Sequence, residues 1–140
     1  MKKICIISII VYLCFSSCIG EETDDNIMSV YIKNDTSYIL SINNTTINTG
    51  DSIRLTTKNF SPSVSSDKIL QTYLYYDVPD TIIIRRNTVN DDTVMYLKSD
   101  RNKSDKNFYN INYWFIYEYA KLGDEKRYCI FNINDNDFTQ

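Results

Sequence analysis

Tyr109 to Ile133 reads YNINYWFIYEYAKLGDEKRYCIFNI, and the period of its side chains decides the fold. Tyr113, Phe115, Tyr117 and Tyr119 fall on one face of an extended chain, with Asn112, Trp114, Ile116 and Glu118 on the other. Past Leu122-Gly123-Asp124-Glu125 the alternation resumes, Cys129, Phe131 and Ile133 being set against Tyr128, Ile130 and Asn132. Two alternating runs around a short glycine-containing break predict a β-hairpin with arms Tyr109 to Tyr119 and Arg127 to Ile133.

The same grammar runs back toward Ile27. β-Branched and aromatic residues come in short runs broken by Asn, Asp, Ser, Thr and Gly, and no window is read as an apolar stripe at helical spacing. Strands are expected at Met28 to Lys33, Tyr38 to Asn43, Ser52 to Thr56, Thr81 to Ile84 and Thr93 to Leu97. Ile69 to Tyr76 is apolar at both even and odd positions and reads as a central strand, while Ser99 to Asn107 reads as a charged loop with no core residue. The expectation for residues 27–140 is an all-β, antiparallel sandwich of about seven to eight strands.

Composition narrows the chemistry. The chain has 140 residues, one domain's worth, with 43% hydrophobic residues to build a core. It contains no histidine, so Ser-His-Asp triads, Cys-His dyads and His-ligated zinc are excluded. With 15 Lys+Arg against 18 Asp+Glu, the balance argues against nucleic acid as a partner.

The N-terminus reads as an address. Lys2 and Lys3 precede an uncharged apolar run, Ile4 to Phe15, that is too short to span a bilayer but long enough for a signal-peptide core. Phe15-Ser16-Ser17-Cys18 resembles a bacterial lipobox, with phenylalanine where leucine is usual. That resemblance implies a signal peptide over 1–17, lipidation at Cys18 and anchorage of the exported protein in a membrane; the alternative is ordinary cleavage after Ser17 or Gly20. Residues 18–26 then form a flexible tether whose Glu21, Glu22, Asp24 and Asp25 have nothing apolar to fold around. Cys5 and Cys14 leave with the signal, so Cys129 remains as a lone thiol at a buried strand position.

The lipobox, the acidic tether, the strands rich in Tyr, Ile and Asn, Pro79-Asp80-Thr81-Ile82-Ile83-Ile84 and the terminal Ile133-Asn134-Asp135-Asn136-Asp137-Phe138 can be taken together. They resemble the small Bacteroidetes lipoproteins that carry an Ig-like β-sandwich. The resemblance implies that fold and an outer-membrane location, with the acidic tether favouring the cell surface. It transfers no site residues.

The functional expectation is therefore a non-enzymatic binding module without a cofactor. An inhibitor or immunity lipoprotein against a secreted enzyme, or a subunit of a surface assembly, is the alternative. Tyr113, Phe115, Tyr117 and Tyr119 are the candidate surface for a glycan or protein ligand, set against the plainer reading that they face the opposite sheet. Asp51-Ser52-Ile53, Asp80-Thr81-Ile82 and Asp92-Thr93-Val94 match the O-glycosylation pattern of exported Bacteroidetes proteins, which makes Ser52, Thr81 and Thr93 candidate acceptors. The same triplets also suit a turn that hands over to a strand. Asn132 to Asp137 offers oxygen atoms but lacks the glycine and closing glutamate of a calcium loop, so no metal site is assigned.

Overall fold

The computed structural model describes residues 26–90, 92–121 and 124–138, without the side chains of 121 and 124. The signal segment, Cys18 and the tether up to residue 25 lie outside the described residues, as does the hairpin turn at 122–123. The described residues are mostly β, with two four-stranded sheets and one short α-helix, consistent with a β-sandwich-like fold.

In chain order the strands are β1 (Ile27–Asn34), β2 (Leu40–Ile42), β3 (Thr45–Ile47), β4 (Ser52–Asn59), β5 (Thr81–Arg86), β6 (Thr93–Leu97), β7 (Trp114–Lys121) and β8 (Asp124–Ile133). One sheet has the order β4-β1-β8-β7 and the other β3-β2-β5-β6. Inward residues of both sheets meet in a single core: Met28, Val30 and Ile32 of β1 and Phe131 and Ile133 of β8, with Leu40, Ile42, Ile82 and Ile84 from the second sheet. Asn34, fully buried where β1 ends, ties the two sheets together: its amide donates to the carbonyls of Tyr38 and Ile47, and its oxygen accepts from the N–H and hydroxyl of Thr36. Burial of so polar a side chain is tolerated because each of its groups is paired.

Three expectations are corrected. The sandwich is not wholly antiparallel, since β1 and β8 run parallel over their whole shared length. Parallel neighbours need a long connection, and here it is most of the domain, which leaves no local trace in sequence. Residues 69–76 are not a strand: they lie in helix α1 (Ser66–Tyr76). Its buried residues Ser66, Leu70, Tyr73 and Leu74 recur at i, i+4, i+7 and i+8, a helical stripe, and the Ser65 hydroxyl accepts from the Lys68 N–H at the N-terminus. Nor is 99–107 free of core residues. Asn107 is buried, donates to the Leu97 carbonyl at 3.1 Å and accepts from the Tyr109 N–H at 2.9 Å.

The strand count is restored by a hairpin absent from the sequence reading. β2 and β3 pair from Ile42↔Thr45, leaving Asn43-Asn44 as a two-residue turn with φ of 47° and 67°. Asparagine tolerates that left-handed backbone better than other residues with a Cβ, so the pair specifies the turn.

Candidate functional site

β7 lies at the edge of its sheet, and its two faces differ sharply. Inward, Trp114 is buried and its indole Nε1 donates to the Phe108 carbonyl at 2.8 Å. Around it the rings of Phe108 and Phe131 stand at centroid distances of 5.0 and 5.3 Å, and Tyr96 meets Phe131 edge-to-face at 5.5 Å. Edge-to-face and tilted contacts of this kind add to the area buried and hold the strand from below. Further along, Glu118 accepts from the Ser66 hydroxyl of α1. The buried Arg127 donates to Glu125 and the Val64 carbonyl and lies 4.0 Å from the Phe60 ring centre. The turn-proximal part of the hairpin is thereby fixed to the start of the helix and the segment that leads into it.

Outward, Phe115, Tyr117 and Tyr119 are 53%, 56% and 59% exposed, so the row does not face the second sheet. Tyr113 departs from it: the chain makes a 3₁₀ turn over Ile111–Tyr113 before β7 begins, and the Tyr113 hydroxyl donates to the Ser104 carbonyl. Three of the four expected aromatics thus share a face. The register extends that face, because Phe115 lies opposite Ile130, Tyr117 opposite Tyr128 and Tyr119 opposite Lys126, while Ile130 neighbours Tyr31 of β1. Tyr31 and Tyr128 have ring centres 6.4 Å apart.

The other singled-out residues are dispersed. Ser52, Thr81 and Thr93 are the first residues of β4, β5 and β6, with Ser52 and Thr93 exposed and Thr81 half-buried. Asp80 and Asp92, which precede two of them, pair with Lys98 and Arg86. The carboxylates after Ile133 are likewise engaged: Asp137 takes the Lys106 ammonium at 2.6 Å, and Asp135 accepts from Ser37. Among the described residues no cluster of three potential metal ligands occurs, and no helix is long and apolar enough to cross a membrane. Cys129 is fully buried, and burial pushes its thiol up to about 12, which keeps it in the unreactive protonated form at neutral pH.

A concavity lies elsewhere on the molecule, where the sequence pattern predicts a strand. A cleft of about 520 Å³ opens where the C-terminal end of α1 meets residues 98–111, lined among others by Tyr75, Tyr76, Lys98 and Arg101. Treating 69–76 as a strand placed those tyrosines in a sheet. The signal that could have found them is Ser65-Ser66-Asp67, a helix start followed by apolar residues at 70, 73 and 74.

No family model, curated protein or solved structure matches this chain. What it does has to be argued from its own surfaces.

Proposed function

We propose that the chain is an exported lipoprotein, held through lipid on Cys18 in the outer membrane and displayed at the cell surface. It acts as a non-enzymatic binding module. The observation that carries the binding role is the row Phe115, Tyr117 and Tyr119 on an edge strand. Three large rings left in water cost solvation free energy that covering them would recover, at roughly 25 cal/mol per Å² of apolar area. An edge strand adds a line of backbone donors and acceptors beside that face. Together these favour a protein partner over a glycan at this surface. The Ig-like description is the finer reading of the fold. Eight short strands in two sheets around one aromatic core support it, while the parallel β1–β8 pair and α1 depart from a wholly antiparallel sandwich.

The test has two arms. Cys18→Ala should move the protein from the membrane to the soluble fraction, since acyl chains supply anchorage that a protein with an acidic tether and no basic excess lacks. Immobilised protein should retain a partner from envelope extract that a Phe115→Ser, Tyr117→Ser, Tyr119→Ser triple variant loses. A membrane-bound Cys18→Ala protein overturns the anchor, and retention of the same partners by the triple variant overturns the surface. A secreted enzyme as partner would make the chain an inhibitor or immunity lipoprotein; a second copy would make it an assembly subunit.

A further inference from the structure

We propose that the cleft between the C-terminal end of α1 and residues 98–111 binds a sugar ring bearing a carboxylate. This goes beyond the hairpin surface and does not depend on it. Electrostatics point to an anion. In a chain with more acidic than basic side chains, the cleft is lined by Lys98 and Arg101 and by no Asp or Glu.

The two cations are not equivalent. The Lys98 ammonium has three protons and three acceptors already in place: the carbonyls of Tyr75 and Val78, at 3.0 and 2.8 Å, and Asp80 at 2.9 Å. It shapes the cleft and is spent. The Arg101 guanidinium lies 5.3 Å from the centre of the Tyr75 ring and, among the described residues, forms no ion pair. Stacking on a ring leaves the planar N–H fork free at its edge, and such a fork matches a carboxylate in bidentate fashion. One uncommitted cation suits a monoanion better than a phosphate dianion.

The rest of the lining suits a sugar. Tyr75 and Tyr76 are 51% and 75% exposed, and their rings meet at 4.7 Å and 77°, which makes an aromatic corner for the C–H face of a pyranose. Gln71, Asn102 and Asn110 also line the cleft; the amides of Gln71 and Asn102 offer a donor and an acceptor to neighbouring hydroxyls, while the Asn110 oxygen accepts from the Asn112 N–H and leaves its NH₂ as the donor. The volume falls within the range of small-ligand sites.

The experiment titrates the ¹⁵N-labelled protein with the methyl glycosides of glucuronate, galacturonate and mannuronate, with the corresponding neutral hexosides and with inorganic phosphate. At least one uronate should give saturable shifts at the amides of residues 75, 76 and 101, with its neutral counterpart about tenfold weaker. Arg101→Gln, an exposed change that should leave the spectrum folded, should erase that difference. Tyr75→Ala should weaken uronate and hexoside alike. Absence of saturable shifts with all three uronates, an unchanged uronate preference in Arg101→Gln, or phosphate binding as tightly as the best uronate would each overturn the assignment.

Discussion

Two tyrosine-rich runs of this chain look alike in composition and behave differently in space. Tyr73-Leu74-Tyr75-Tyr76 closes α1, while Tyr113 to Tyr119 leads into and along β7. In β7 the period is two, so Trp114 and Ile116 turn inward and Phe115, Tyr117 and Tyr119 remain outside. In α1 the period is 3.6, so Tyr73 and Leu74 are buried side by side and Tyr75 and Tyr76 are left in the cleft. Composition alone therefore does not separate core from surface here; backbone period does. Each run also splits into one anchoring part and one exposed part, and both exposed parts are the surfaces to which function is assigned.

The sharpest way to break this comparison is to remove an anchor. Trp114→Ala deletes a buried indole packed against the rings of Phe108 and Phe131 and strands the Phe108 carbonyl, so a loss of about 3–5 kcal/mol is expected. Chemical denaturation measures it directly. A loss below about 1 kcal/mol would mean that Trp114 does not anchor the hairpin.

The helical period is tested by a pair of substitutions. Leu70→Ala should cost about 2–5 kcal/mol, because Leu70 is fully buried against the core, whereas Tyr75→Ala should cost under about 1 kcal/mol. A strand would place Tyr73 and Tyr75 on one face and Leu70 on the other. If Tyr75→Ala proved as costly as Tyr73→Ala, the helix would be the wrong account of this segment.

The aromatic core also carries a pH signature. Burial, with a smaller contribution from the Asp80 charge, pushes the Tyr109 hydroxyl up to about 12. Burial pushes the Cys129 thiol up to about 12 as well, and raises Tyr96 further in the same direction. For each group the folded state holds its proton more tightly than the unfolded chain does. The associated stability is therefore intact below about pH 9 and is lost as pH rises through the ordinary thiol and phenol range toward 12. Cys129 alone, ionising near 9 in the unfolded chain and at about 12 in the fold, contributes about 2–3 kcal/mol between pH 8.5 and 11, and the two buried tyrosines add to it, so a fall of several kcal/mol is expected. Urea midpoints at the two pH values should show it, and a flat profile would contradict the burial of these groups. Cys129→Ala should delay the onset toward the tyrosine range.

Much of this was legible in the residues. Alternation within the expected arms Tyr109 to Tyr119 and Arg127 to Ile133 announced the hairpin because one face of each strand is buried and the other is not, although the first arm begins at Trp114, after the 3₁₀ turn, and not at Tyr109. Thr93 to Leu97 was legible for a similar reason, being bounded by turn residues. The segment from Ile69 to Tyr76 was not, because tyrosine counts as apolar in a pattern yet sits comfortably in water, and Tyr75 and Tyr76 blurred the stripe formed by Leu70, Tyr73 and Leu74. The cleft was lost with it. The pairing of β1 with β8 was beyond reach, since about a hundred residues separate strands whose contact leaves no local pattern. The aromatic surface was half legible: alternation showed that Phe115, Tyr117 and Tyr119 share a face, but only the exposure of those rings in the fold shows that this face is open.

The smallest expected effect on stability is the most informative about function. Tyr117 stands opposite Tyr128 on the outer face, 56% exposed, with the anchored Trp114 side of the strand beneath it. Tyr117→Ser removes a ring that water already covers on one side, so the change in stability should stay under about 1 kcal/mol and leave the melting profile close to that of the parent. Serine is also the poorer strand former by a few tenths of a kcal/mol, which Tyr117→Thr separates from loss of the ring, since threonine, like tyrosine, favours the strand. Both variants should lose retention of the envelope partner to the same degree, because both lack the ring. A drop of several kcal/mol in Tyr117→Ser would identify the residue as core and dissolve the contrast between the two faces of β7. An undiminished partner in both variants would leave an exposed aromatic row with no role in binding.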